Sequence, residues 1–188
     1  MIAPKLLIIR GNSGSGKSSL AQEIRARYGR GCALVEQDYL RRIVLRAHEA
    51  PSDPPSAAPG LIASVCTFSL ANGYHVILEG ILATARYGTM LRDLIAGHAG
   101  SSYVYYMDIS YEETVRRHAT RAQRDAFTAE DMREWYRVSD PLRVPDEHII
   151  GEGSTFEQSI DFILETSQLL DGSPLISAKL ADGTVTPG

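Results

Sequence analysis

Residues Gly11-Asn12-Ser13-Gly14-Ser15-Gly16-Lys17-Ser18 satisfy every fixed position of the pattern G-x-x-x-x-G-K-[ST]. The chemistry such a run can do is phosphate binding. Glycines let the backbone curl so that successive N–H groups face one concavity, and a helix starting there adds the positive end of its dipole. Lys17 supplies a compact charge for the β- and γ-phosphates, and the Ser18 hydroxyl suits Mg²⁺. Ser19 follows inside the helix, so residues 11–19 form the candidate nucleotide contacts. ATP is the expected guest, with GTP left open. A dinucleotide fingerprint fits less well, because Gly14-Ser15-Gly16-Lys17-Ser18-Ser19 lacks the third glycine of G-x-G-x-x-G.

Transfer of a phosphoryl group also needs carboxylates. Asp38 follows the apolar run Leu34-Val35, where it could accept the proton of an attacking hydroxyl or orient that hydroxyl. It also suits the N-cap of a helix over Tyr39 to Ala47, and both roles stay open at this level. Glu36, two residues earlier, could hold a magnesium-bound water. Glu79 ends Val76-Ile77-Leu78 and Asp108 ends another apolar run, so either could support the metal. Glu79 is preferred, since the small Gly80 beside it leaves room for a ligand. Ser18, Glu36 and Glu79 are thus the candidate metal residues, and Asp38, Arg41, Arg42 and Glu79 the candidate acceptor-side residues.

Arg116, Arg117, Arg121, Arg124, Arg133 and Arg137 crowd one stretch of an otherwise acidic chain. Glu112 with Arg116 and Glu113 with Arg117 fit an ordinary solvated helix. Yet Arg117, Arg121 and Arg124 place like charges on one helix face, which costs stability unless an anion sits among them. Arg117 and Arg121 are the candidate lid arginines, able to neutralise charge on a phosphoryl group in flight.

The elements that would position these groups can be read from periodicity. Short apolar runs at Leu6-Leu7-Ile8-Ile9, Cys32-Ala33-Leu34-Val35, Val76-Ile77-Leu78, Tyr103-Val104-Tyr105-Tyr106-Met107 and His148-Ile149-Ile150 predict buried parallel strands. Helical stripes lie between them: Leu20, Ile24 and Tyr28, then Met90, Leu91, Leu94 and Ile95, then Phe156, Ile160, Ile163 and Leu164. Ser110 with Glu113 and Ser154 with Glu157 have capping-box spacing. The alternation predicts a doubly wound α/β domain over residues 1–171, with a lid at about 116–137 and a tail at 172–188. Residues 49–60 hold four prolines and are expected to form an irregular loop.

Composition sets the outer bounds. The chain has 188 residues, 44% hydrophobic, and a formal net charge of −4, which suits one globular domain and disfavours a nucleic-acid partner. No run approaches the length of a membrane span, and Met1 to Lys5 lead straight into a strand-like segment, so a cytoplasmic protein is expected, as monomer or homodimer. Two cysteines and five scattered histidines show no metal-ligand spacing.

The chain resembles the small P-loop kinases grouped with zeta toxins and chloramphenicol phosphotransferase, over roughly residues 5–170. It is most similar to a bacterial group described as kinase-like or AAA-type ATPase proteins. The likeness rests on Ile9-Arg10 with the glycine-rich run, Gln37-Asp38, Ile77-Leu78-Glu79-Gly80-Ile81-Leu82, Arg116-Arg117-His118 and Met132-Arg133-Glu134-Trp135-Tyr136. The resemblance implies a five-stranded parallel sheet in the order 2-3-1-4-5, a lid after the fourth strand, and adenine near Gly151-Glu152-Gly153-Ser154. It further implies that Asp38 is the acceptor-side aspartate, but the acceptor does not transfer with the resemblance; the leading expectation is transfer from Mg-ATP to a hydroxyl of a small molecule such as an antibiotic, nucleoside or sugar. A toxin-like kinase of a cell-wall sugar nucleotide and a nucleotide-dependent switch or ATPase stay open as alternatives.

Overall fold

The computed structural model describes residues 3–47, 56–119 and 128–171. In chain order it contains β1 (Leu6–Gly11), α1 (Lys17–Tyr28), β2 (Cys32–Glu36), a π-helical turn (Tyr39–Val44), α2 (Ala58–Ala71), β3 (His75–Gly80), α3 (Thr84–Gly97), β4 (Ser102–Asp108), α4 (Tyr111–Ala119), α5 (Ala129–Trp135), β5 (Glu147–Gly151) and α6 (Phe156–Ser167). The five strands form one sheet in the order β2-β3-β1-β4-β5, every neighbouring pair parallel. This is the doubly wound order expected above.

Hydrophobicity on both faces of the sheet explains why the strands read as nearly continuous apolar runs. Leu6, Ile8, Val76, Leu78 and Val104 face α2 and α3, packing on Ile62, Cys66, Tyr87 and Leu91. Leu7, Ile9, Ile77, Tyr105 and Met107 face α1 and α6, packing on Leu20, Ile24, Ile160 and Ile163. Strand β1 is central and fully buried, so the loop that follows it is anchored on the most rigid part of the domain. Strand β5 lies at the sheet edge, and its Ile149 is exposed while Ile150 is buried, so only part of the expected burial holds there.

The structure moves three local expectations. Helix α2 begins at Ala58, with Pro59 in its first turn, so the end of the proline-rich stretch is helical. Residues 49–55 of that stretch, His48, Arg121, Arg124 and residues 172–188 lie outside the described residues. The capping box of α6 is Thr155 with Gln158, one residue beyond the Ser154–Glu157 pair; both have suitable types, and the observed pair places Ile160 and Ile163 on the sheet. At α4, Ser110 Oγ accepts from the Glu113 N–H at 3.3 Å, but the reciprocal arm comes from Glu152, whose carboxylate accepts from the Ser110 N–H at 3.1 Å. The Glu113 carboxylate is instead taken by Arg116 and Arg117. Among the described residues, no helix is long and apolar enough to cross a membrane.

One buried contact makes the start of the sheet sensitive to acid. His75 Nδ1 accepts the Lys5 N–H at 2.8 Å, so the ring must be neutral with Nδ1 unprotonated. Burial, reinforced by the Lys5 charge, lowers the His75 pKa from 6.5 to about 4. A base whose folded pKa is depressed contributes stability above its unfolded pKa, and that contribution is lost as the pH falls toward the folded value. The thermal midpoint should therefore decline between pH 6.5 and about 4, and His75→Asn should flatten the decline in that window. Equal slopes for the two proteins would remove His75 as the cause.

Candidate functional site

The glycine-rich run forms the turn between β1 and α1, and steric closeness dictates its residue types. Gly11 has φ of 147°, and a Cβ there would sit 2.7 Å from the Met107 carbonyl oxygen on β4. Gly14 has φ of 82°, and its Cβ would sit 2.6 Å from the Thr114 carbonyl oxygen on α4. Neither position accepts a side chain without moving backbone. Gly16 precedes the first residue of α1 in a left-handed conformation, with no side-chain cap, which leaves the first-turn N–H groups of α1 directed at the loop.

Lys17 is buried at the start of α1, and its Nζ donates to the Asn12 carbonyl oxygen at 3.3 Å. Ser15 is buried, with no hydrogen-bond partner for its Oγ among the described residues. Ser19 is exposed on the outer side of the first turn of α1. The Asn12 carboxamide turns away from the concavity: Nδ2 donates to the Arg137 carbonyl oxygen at 2.8 Å, and Oδ1 accepts the Arg137 N–H at 2.9 Å.

The strand-end acids converge on this loop from β2 and β3. Glu36 and Glu79 are register partners and so share the α1 face of the sheet. Ser18 Oγ donates to Glu79 Oε2 at 3.0 Å. Burial raises the Glu79 pKa; the Lys17 charge and the Ser18 hydrogen bond oppose that rise, and the Glu36 and Asp38 carboxylates add to it. Glu79 thus carries an incompletely balanced negative charge in a desolvated place, which a divalent cation would relieve. Asp108 is exposed at the end of β4. Gly80 does not leave room for a ligand: its Cβ would lie 2.5 Å from the Gln37 Cβ, so the buried Gln37 fills that space.

Asp38 is half exposed and makes no cap hydrogen bond to the turn that follows it. Its carboxylate accepts from Arg41 Nη2 at 2.7 Å and lies 3.6 Å from Arg42 Nε. The expected regular helix over Tyr39 to Ala47 is a π-helical turn, which places Arg41 and Arg42 back over Asp38. On the other side, Arg117 donates from Nη1 to the Ser15 carbonyl oxygen at 2.9 Å and from Nε to Glu113 at 2.7 Å. Arg117 of α4 therefore lies against the phosphate loop. Gly151 is exposed at the end of β5, beside Glu152, which ties this loop to Ser110.

Arg10 was quoted above only within a motif, yet it organises the rear of the site. It is fully buried, 2.7 Å from Asp140, with Nη2 donating to the Leu82 carbonyl oxygen at 3.0 Å and to Thr84 Oγ1 at 2.9 Å. Its guanidinium also stacks over the Tyr106 ring, 5.3 Å from the centroid. Leu82, held between Arg10 and the Gln37 side chain, has a positive φ of 46°. Such strain in a leucine persists only where its surroundings over-determine it. The signal was present as a lone charge ending an apolar strand; its partners, far along the chain, were not legible.

A family described as AAA domain matches residues 6–142. No curated protein matches the chain. Among solved structures, the APS kinase of Mycobacterium tuberculosis, in complex with AMPPNP and APS, is 18% identical with a TM-score of 0.69, covering 92% of this chain and all of its own. A gluconokinase from Sinorhizobium meliloti is 17% identical with a TM-score of 0.63, covering 97% of this chain and 96% of its own. A sugar kinase from a Janibacter species is 16% identical with a TM-score of 0.63, covering 89% of this chain and 96% of its own. At these identities the likeness establishes the fold alone, the five-stranded parallel sheet and glycine-rich loop that this chain shares with them.

The raised pKa of Glu79 gives a testable trade-off. A carboxyl whose folded pKa lies above its unfolded value costs stability above the unfolded pKa, so neutralising it recovers that cost at neutral pH. Glu79→Gln should raise the melting temperature of the ligand-free protein at pH 7 by about 2–4 °C per kcal/mol recovered, while weakening magnesium-dependent nucleotide binding. A lower melting temperature would mean that the charge contributes net stability through Lys17.

Proposed function

The chain belongs to this AAA domain family, and from that premise we propose that it is an ATP-dependent phosphotransferase acting on a hydroxyl of a small molecule. The observation that carries the reading is the set of charges gathered around Glu79: Lys17, Glu36 and Asp38 all bear on it, and Ser18 is bonded to it. Residues 11–19 would hold the polyphosphate, with Gly151 near the base. Ser15 Oγ, which has no hydrogen-bond partner among the described residues, and the first turn of α1, which has no side-chain cap, suit a phosphate guest.

Ser18, Glu79 and Glu36 offer hard oxygen donors, which fits Mg²⁺ better than a softer metal. When bound, the ion would neutralise charge on the phosphoryl oxygens. Asp38 would accept the proton of the acceptor hydroxyl, and its 2.7 Å pairing with Arg41 keeps it aimed. Arg41 and Arg42 would meet polar groups of the acceptor. Lys17 would orient the β- and γ-phosphates, and Arg117, together with Arg121, would offset charge as the phosphoryl group moves. The APS kinase in complex with AMPPNP and APS and the gluconokinase are kinases by name, which supports this class of reaction. The net charge of −4 weighs against a nucleic-acid acceptor.

The test is a screen of purified protein with ATP, Mg²⁺ and a panel of nucleosides, sugars and hydroxylated antibiotics, following ADP and phosphorylated product by mass. The expected result is a product that is absent with Lys17→Ala. Tight nucleotide binding with no product from any acceptor would overturn the small-molecule reading. With the acceptor identified, Asp38→Asn should retain nucleotide binding and lose on the order of a hundredfold in transfer. Unchanged turnover would remove Asp38 from the mechanism.

A further inference from the structure

Helix α4 and the segment from α5 to Asp140 both meet the phosphate loop. On the outgoing side, Gly14 lies against the Thr114 carbonyl, and Arg117 donates to the Ser15 carbonyl oxygen at 2.9 Å. On the returning side, Met132 of α5 also reaches Gly14, since a Cβ there would meet its Cε at 3.0 Å. The chain then reaches Arg137, whose N–H and C=O are both taken by the Asn12 carboxamide, at 2.9 and 2.8 Å. Three residues later Asp140 is fixed to Arg10 at 2.7 Å, and its N–H donates to the Tyr106 hydroxyl at 3.0 Å.

The two returning ties differ in kind. Arg10 and Tyr106 stand on the central strands, so Asp140 is held by the rigid sheet. Asn12 is part of the loop that must meet the nucleotide, and its two ends do different things. Its backbone oxygen accepts Lys17 Nζ at 3.3 Å, while its side chain holds Arg137. A polyphosphate that draws the Lys17 ammonium toward itself takes that donor from the same residue that grips the segment after α5. A carboxamide is needed for the grip, because it offers one donor and one acceptor to a single backbone residue.

We infer that Asn12 is a positioning residue that couples nucleotide in the phosphate loop to the segment after α5, residues 136–142, through its paired hydrogen bonds to the Arg137 backbone. This rests on the reading of residues 11–19 as a nucleotide site, but not on the identity of the acceptor. Asn12 touches that segment with its side chain and leaves only its backbone for phosphate. Nucleotide binding then orders the segment, and with it the Arg137 guanidinium, which caps the end of α5 by donating to the Glu134 carbonyl oxygen at 3.2 Å.

The experiment is amide hydrogen exchange on the full chain with and without Mg²⁺ and AMPPNP, alongside binding of AMPPNP by calorimetry. In the unaltered protein, AMPPNP should slow exchange at residues 136–142 by about tenfold or more. Asn12→Ala, compared at AMPPNP concentrations that calorimetry shows to saturate it, should lose that slowing, while Lys17 peptides remain protected. Asn12→Asp keeps the volume and the acceptor for the Arg137 N–H but repels its carbonyl oxygen, and it should lose the slowing in part; it serves if the alanine variant does not fold. Retained slowing in both variants would overturn the coupling. Failure of the unaltered protein to bind AMPPNP would overturn both this inference and the nucleotide site. Coupling intact with no acceptor turned over would leave the inference standing and count against the kinase reading.

Discussion

Backbone packed directly on backbone at the end of β1 is the constraint from which the rest of this site follows. Gly11 lies against the Met107 carbonyl and Gly14 against the Thr114 carbonyl, at separations that exclude a Cβ. That closeness removes side chains from the phosphate concavity and leaves peptide N–H groups and the start of α1 to face it. It also brings α4 onto the loop, so that helix and the glycine-rich turn share a surface. A central strand buried on both faces gives this arrangement a rigid base.

Charge is concentrated where that packing leaves room for it. Glu79, Glu36 and Asp38 stand at neighbouring strand ends, with Lys17 at the head of α1. Burial of a carboxylate among other carboxylates costs stability, and the raised pKa of Glu79 records that cost. Carboxyls shifted in this way cluster at functional sites, which links the energetics of the ligand-free state to the chemistry proposed for it. Arg10 works in the opposite sense: its buried charge is answered by Asp140 and by the Tyr106 ring, and it holds the rear wall of the site in one shape.

Much of this was legible in the chain because the signals are local. The phosphate loop depends on glycine spacing, the five strands on apolar runs bounded by turns, and the stripes of α1, α3 and α6 on a period of 3.6 residues; each is written within a short window. Where competing local options were equal, the reading slipped. Ser154–Glu157 and Thr155–Gln158 both have capping chemistry, and the sheet decided between them by burying Ile160 and Ile163. Gly80 read as space for a ligand, because no pattern announces that Gln37, from another strand's end, fills it.

The sequence by itself determined the sheet's composition, the phosphate loop and the types of charged residue available to it, since hydrophobic period and glycine freedom act between near neighbours. Only the tertiary structure decided which of those charges meet. That Ser18 bonds Glu79, that Arg117 lies on Ser15, that Arg10 pairs with Asp140 and that Asn12 holds Arg137 depend on strands and loops 61 to 130 residues apart being brought together. Such pairings are set by the order of strands in the sheet and by where its connections end, and no periodicity in the intervening residues encodes them.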